Sequence, residues 1–326
     1  MMVPYALRLL CICLAAFFVV NTGAGLFVSL GSRAAMRIAE KMRPRTATRF
    51  LLLLRLFPSA LGLGVVVALC IPSYLCLEPE SIAERVGWAC LALVFVTAVT
   101  MSVSLTRAVG ALVTSQRFHW TWQKFGRPAQ LPGEHPNAVI IEKEAPLLAL
   151  AGLFRPRLFI SGGVLRALTT EELDVAIRHE NAHRFSRDNL KRLLLLLTPV
   201  SIPFPGFALL EQSWAKLSEW AADDEAVQGD SNRALLLATA LLRVARLGAG
   251  PRLSFLHTSL VADDRELSAR VDRLLHVEER PVEPDRQSRY YLALCGGLSF
   301  AACALLFASG PAALSSVHRL SEMFLR

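Results

Sequence analysis

The sequence predicts an α-helical membrane protein carrying one polar domain of mixed helix and strand, and three observations predict it. Hydrophobic residues make up 53% of the 326 residues, which is too apolar for an ordinary soluble domain. Four segments, residues 9–30, 56–77, 86–105 and 290–314, each approach the roughly 20 residues that a helix needs to cross a bilayer. Between the third and fourth lies a stretch, residues 115–289, of a size suited to a single core. It contains two histidines at metal-ligand spacing.

The membrane elements follow in order. The first apolar run is long for a cleaved signal peptide and is followed by basic residues, so a retained span is expected. Residues 31–55 read as a basic loop, with Arg33, Arg37, Lys41, Arg43, Arg45 and Arg49 against a single Glu40. The second span holds Ala60 and Gly64, a small-xxx-small spacing that hints at helix packing. Between spans two and three, Glu78, Glu80 and Glu84 oppose only Arg85. The positive-inside rule then puts the N-terminus outside, residues 31–55 inside and residues 115–289 in the cytoplasm. The fourth span leads back out to a short tail, residues 315–326. That is the topology of a multi-pass protein of a bacterial inner membrane.

The polar domain opens with Phe118, Trp120, Trp122 and Phe125 interleaved with Arg117, His119 and Lys124, a pattern suited to the headgroup region. A Pro- and Gly-rich loop follows. Residues 138–142 and 157–161 read as strands, and Gly162-Gly163 turns the chain toward a helix. Further helices are expected over residues 190–197, 211–227, 232–247 and 265–276. The apolar run 193–210 is long enough to suggest a span, but Pro199, Pro203 and Pro205 interrupt it. A single crossing would also separate His183 from Glu219, so the segment is read as dipping into the membrane and returning on the same side.

The central signal is His179-Glu180-Asn181-Ala182-His183. Histidines four apart on a helix point the same way, so both imidazoles can hold one metal ion. Glu180 between them is placed to take a proton from a metal-bound water. Thr169 and Glu172 have capping-box spacing, which supports a helix here. Downstream, Glu219 offers a third ligand and leaves a fourth position for water. Asp223, one turn further on, can accept the free N–H of a ligand histidine. The expectation is one Zn2+ per chain on His179, His183 and Glu219, with Glu180 and Asp223 as the catalytic and orienting carboxylates. Arg270 and His257 are candidates for stabilising an oxyanion. Ser213 and Lys216 spell S-x-x-K without companion motifs and are read as coincidence.

Composition excludes other classes. The net charge of +8 resides mostly beside the spans, where orientation explains it, and no nucleic-acid recognition element is evident. All seven cysteines lie in apolar segments, so neither a disulfide framework nor a cysteine metal site is expected in the polar domain. Four spans with little central charge make a poor transporter.

The chain resembles the BlaR/MecR-type integral-membrane metallopeptidases, which are gluzincins. The resemblance runs through Ala145-Pro146, residues 152–161 (GLFRPRLFIS), residues 168–173 (LTTEEL), His179 to His183, Arg187-Asp188-Asn189-Leu190, and Glu219 with Asp223. It implies a mainly helical, zincin-type (α+β) metallopeptidase domain, with three spans before it and one after. It also implies zinc on His179, His183 and Glu219, Glu180 as general base, and Asp223 orienting a ligand. Such proteins are signalling proteases, so the expected partner is a protein substrate: a transcriptional repressor or the chain itself. The sensor members carry a penicillin-binding domain after the last span, which residues 315–326 do not supply, so β-lactam sensing is not expected. Two alternatives stand beside this reading. One is a quality-control or processing protease of the HtpX or CAAX-protease type, and the other is a non-catalytic membrane signalling scaffold.

Overall fold

The computed structural model describes residues 4–77, 86–129, 138–144, 146–153, 156–200, 204–248, 258–259, 264–276 and 315. The fourth apolar segment, the tail beyond Ser315 and His257 lie outside the described residues.

Among the described residues, three helical rods are long and apolar enough to cross a membrane. The first is α1 (Tyr5–Ala39). The second is α2 (Pro44–Val65), which continues through a π-helical turn (Val66–Cys70) into α3 (Ile71–Leu77). The third is α4 (Trp88–Phe125). At 35, 34 and 38 residues they measure about 50–57 Å, well beyond an apolar layer of about 30 Å.

This length corrects the expected basic loop over residues 31–55. Only the turn at 40–43 is non-helical; Arg33 and Arg37 belong to α1, while Arg45 and Arg49 belong to α2. The hydropathy signal stops where charge begins, but arginine and lysine are good helix formers and do not end the helix. For the same reason α4 carries the aromatic and basic collar to Phe125, so a domain boundary at 115 falls inside a helix.

The packing of α1 on α2 also differs from the small-xxx-small expectation. Ala60 is exposed and Gly64 has open space around it. Gly62 takes the close contact instead, since a Cβ there would lie 3.0 Å from the Phe17 ring. Beside it, Ser59 donates to Asn21 Oδ1 at 3.0 Å.

Beyond α4 the chain forms a five-stranded sheet in the order β1-β2-β4-β3-β5. Its strands are β1 (Arg127–Ala129), β2 (Ala138–Ile141), β3 (Leu148–Ala151), β4 (Arg157–Ser161) and β5 (Thr258–Ser259). Only β2 and β4 run parallel, with Ala138 opposite Leu158; the other pairings are antiparallel. The Ser161 side chain accepts from Val164 N–H and starts the short helix α5 (Gly162–Ala167).

The helices that follow are α6 (Thr170–Ser186), α7 (Asp188–Leu197), α8 (Pro205–Val227), α9 (Ser231–Arg246) and α10 (Asp264–Leu275); α7, α9 and α10 lie within two residues of the expected ranges, while α8 starts at Pro205 rather than 211. Thr169 and Glu172 form the capping box reciprocally, fixing the start of α6. One core joins the sheet to α6, α9 and α10 through residues such as Ile160, Ala176, Leu237 and Leu241. A second joins α8 to α1 and α2 through Phe50, Leu51, Phe207, Leu210 and Trp214. Helix α8 therefore stands between the membrane helices and the sheet-bearing domain.

The apolar run at 193–210 becomes the end of α7 and the start of α8. Leu193 and Leu196 of α7 pack against Ala108 of α4. Asn21, inside the apolar stretch of α1, donates to the Pro199 carbonyl at 3.3 Å. At the start of α8, Gly206 N–H donates to Ser29 Oγ at 3.2 Å. The approach is tight enough that a Cβ on Gly206 would lie 2.5–2.7 Å from Ser29 atoms.

Candidate metal centre

Helix α6 presents His179 and His183 one turn apart, and α8 brings Glu219 across to them. All three are buried and together form a group that can hold a metal ion. His179 Nε2 and His183 Nε2 are 3.2 Å apart. Glu219 places Oε2 at 3.5 Å from the first and Oε1 at 3.6 Å from the second. Ligands about 2.0–2.1 Å from a tetrahedral ion stand about 3.3 Å from one another, so the triangle has the right dimensions.

The outer nitrogen of each histidine faces its own carboxylate. His179 Nδ1 lies 2.9 Å from Asp223 Oδ1, as Asp223's position one turn beyond Glu219 predicts. His183 Nδ1 donates to Asp188 Oδ2 at 2.7 Å. Asp188 also accepts from Ser218 Oγ at 2.8 Å and from Lys191 Nζ at 2.8 Å. A hydrogen bond thereby fixes His183 with Nε2 toward the shared centre, and His179 stands with Nδ1 beside Asp223, the arrangement that orients ligand histidines.

Asp188 is the residue that sequence reasoning missed, although it lies within one of the matching stretches. Its position comes from a turn: Arg187 adopts φ 56°, ψ 43° and serves as both the C-cap of α6 and the N-cap of α7. That left-handed residue folds α7 back so that Asp188 meets a histidine five positions earlier. A non-glycine residue there carries a conformational cost. The only sequence signal was an acidic residue just past the end of the ligand helix. Ser218 carried no signal beyond adjacency to Glu219.

Arg270 reaches the centre from α10. It is buried and grips Asp223 through two hydrogen bonds, Nε to Oδ2 at 2.9 Å and Nη2 to Oδ1 at 2.6 Å. Its Nη1 lies 3.3 Å from Glu219 Oε2. The guanidinium thus ties the third candidate ligand to the carboxylate behind His179. It stands at the site rather than on the surface, whereas His257, the other oxyanion candidate, lies outside the described residues.

Glu180 is different from its neighbours. It is fully buried, and neither carboxylate oxygen has a hydrogen-bond partner among the described residues. Burial pushes its carboxyl up to about 7, against the pull of the flanking histidines. A buried carboxyl without a partner is costly, so its place beside two histidines calls for a ligand chemistry that would use it.

The remaining titration directions describe a site built for positive charge. Burial would lower His183, but Glu219 and Asp188 outweigh it and raise the group to about 10. Burial opposes ionisation of Glu219 and Asp188, yet His183 holds both carboxyls well below the usual range. Arg270 likewise overcomes burial at Asp223 and brings it down to about 2. Three carboxylates (Asp188, Glu219, Asp223) pair with the cations Lys191, Arg270 and, 3.8 Å from Glu219, Arg192. The proton on His183 and the one shared by Glu180 are the charge that a bound cation would replace. The residues fit a divalent cation with nitrogen and oxygen ligands.

No protein-family model matches the chain, and no curated protein matches it.

Proposed function

We propose that this chain is a membrane-embedded zinc-dependent endopeptidase acting on a cytoplasmic or membrane-proximal protein. The observation that carries the reading is the pairing of a buried His179–His183–Glu219 triangle with Glu180, a buried carboxyl with no hydrogen-bond partner among the described residues. Two histidines and one carboxylate are the ligand set of open, catalytic zinc sites, whereas structural sites are usually closed by four protein ligands. A bound zinc ion would polarise the scissile carbonyl and lower the pKa of its water.

The chain's own residues supply the rest. Asp223 and Asp188 hold His179 and His183 with the ligand nitrogens inward. Arg270 keeps Glu219 in register with Asp223, and it lies near enough to steady an anionic oxygen on the substrate carbonyl. Glu180, held near neutrality by burial, takes a proton from the attacking water and hands it to the departing amine. A group with an acidity near the working pH serves both directions best. The wider proposal is a member of the BlaR/MecR-type metallopeptidases with a fourth span after α10, a cytoplasmic catalytic domain, a membrane-dipping hairpin at 193–210 and a repressor as substrate.

The test is Glu180→Gln. It preserves shape and all three ligands, so zinc should stay at about one per chain. Loss of a positioned acid–base group costs about 10²- to 10⁴-fold in rate. Cytoplasmic fragments of a partner, or of the chain itself, should vanish on immunoblots from cells expressing the variant. Fragments appearing at the wild-type rate with zinc retained would favour the signalling scaffold instead.

A further inference from the structure

A cavity of about 550 Å3 lies where the α1–α2 turn meets α8 and α10, apart from the metal ligands. Its walls are chiefly apolar, with Met36, Met42, Leu51, Leu217 and Trp220 facing it. That volume suits a small-molecule ligand. Its polar lining is uneven. Lys216 is exposed and lies over the Trp220 ring at 4.5 Å, with no carboxylate in ion-pair reach among the described residues. Arg273 also lies against that ring, at 5.2 Å, but is neutralised by Asp224 at 2.5 Å. Glu40 is the single carboxylate in the lining, and the exposed Arg37 and Lys41 flank it on the same turn.

Depth narrows the choice of ligand. On α8, Gly206 touches Ser29 within the apolar stretch of α1, and Glu211 accepts from Arg55 at 2.7 Å. Arg55 is the last residue before the apolar run 56–77, which puts Glu211 at the edge of the apolar layer. Lys216 stands five residues further along, about 8 Å beyond that edge at 1.5 Å per residue. That is the level of lipid phosphates, where tryptophan and lysine are favoured and where basic pockets between membrane helices hold anionic headgroups. A free anion would use Lys216 and leave the apolar walls wet.

We infer that this cavity is a binding site for an anionic phospholipid, with its phosphodiester on Lys216, its glycerol against Trp220 and its first acyl carbons along Met36 and Leu51. The bound lipid joins the α1–α2 turn to α10, the helix that also carries Arg270. The inference does not depend on the metal or on peptidase activity.

The full chain is reconstituted in nanodiscs of phosphatidylcholine with graded phosphatidylglycerol, and retained lipid is counted by native mass spectrometry. Phosphatidylglycerol should be retained preferentially. Lys216→Gln should weaken retention about fivefold, the worth of one surface cation. The paired change Arg37→Gln and Lys41→Gln, outside the cavity, should matter much less. Brominated phosphatidylglycerol should quench tryptophan fluorescence in the wild type, and Trp220→Phe should remove that component. Equal retention of the two lipids overturns the inference, as does wild-type retention by Lys216→Gln in protein of unchanged melting temperature. It also fails if inorganic phosphate displaces the lipid signal, or if the Arg37 and Lys41 pair matters as much as Lys216. The first of these marks a free-anion site and the second a diffuse surface field.

Discussion

At the scale of single residues, the centre is defined as much by what stands behind the histidines as by the histidines themselves. Asp188 accepts from His183, Ser218 and Lys191 at once. Replacing it by asparagine keeps the shape but removes the charge that fixes the His183 tautomer. Zinc affinity should fall about 10- to 100-fold, the usual worth of such a partner. Competition with a fluorescent chelator measures this, and unchanged affinity would exclude Asp188 from the centre. A second prediction follows from His183, raised to about 10 by Glu219 and Asp188 in the metal-free protein. The sign is that of a raised base: its charged form stabilises the metal-free fold fully below its unfolded value near 6.5. That contribution is lost as pH rises through about 10. At pH 7 a metal must therefore expel this proton, so binding should release about one proton and tighten as pH rises. Titration calorimetry in two buffers of different ionisation heat checks this, and no proton release would contradict it. His179, Glu180 and His183 were legible as one motif on a helix, and Glu219 with Asp223, one turn apart on a second helix, only once paired with that motif. Asp188 was not, because its place depends on a left-handed turn at an arginine, which no residue preference announces.

At the scale of elements, helix α8 couples the two halves of the chain. Its first turns meet α1 and α2 through Gly206, Phe207 and Glu211, while its later turns carry Glu219 and Asp223. Gly206→Val should force α8 off Ser29, since even a Cβ would sit 2.5 Å from its hydroxyl oxygen. Overpacking of this kind costs about 1–3 kcal/mol, and a shift of the rod moves Glu219 with it. The expected result is a lower melting temperature in detergent together with weaker zinc retention. A melting loss with unaltered zinc affinity would show that the two ends of α8 are independent. Helix boundaries of α7 to α10 were read to within a few residues except at the start of α8, which begins at Pro205 rather than 211. There the apolar run obscured the helix, because residues that would mark an amphipathic face are buried against α1 and α2. Strand β3 was missed for a related reason. Leu148–Ala151 is buried on both faces and shows no alternation, and its partners lie on either side, β4 ten residues on and β5 far along the chain.

At the scale of the whole molecule, the charge pattern and the structure bear on which end faces the cytoplasm. The structure gathers the basic residues more tightly than a loop would. Arg33, Arg37, Lys41, Arg43, Arg45 and Arg49 cluster around one sharp helical turn at 40–43. Arg45 and Glu225 lie 3.1 Å apart, so the turn and the outer end of α8 share one side of the apolar layer. Glu219, the candidate metal ligand on α8, and the basic turn therefore have the same orientation whichever way the chain is inserted. Positive charge near span ends favours the cytoplasmic face. Single cysteines introduced at Glu40 and Gln130 should then resist a membrane-impermeant maleimide in intact cells, while one at Glu80 should react. After permeabilisation all three should label. Cys76, exposed at the end of α3 near Glu80, is first replaced by serine so that it does not label in its place. Labelling of Glu40 and Gln130 in intact cells, with Glu80 protected, would invert the topology. The metal centre would then face away from any cytoplasmic repressor, and the proposed substrate would have to be sought among exported proteins.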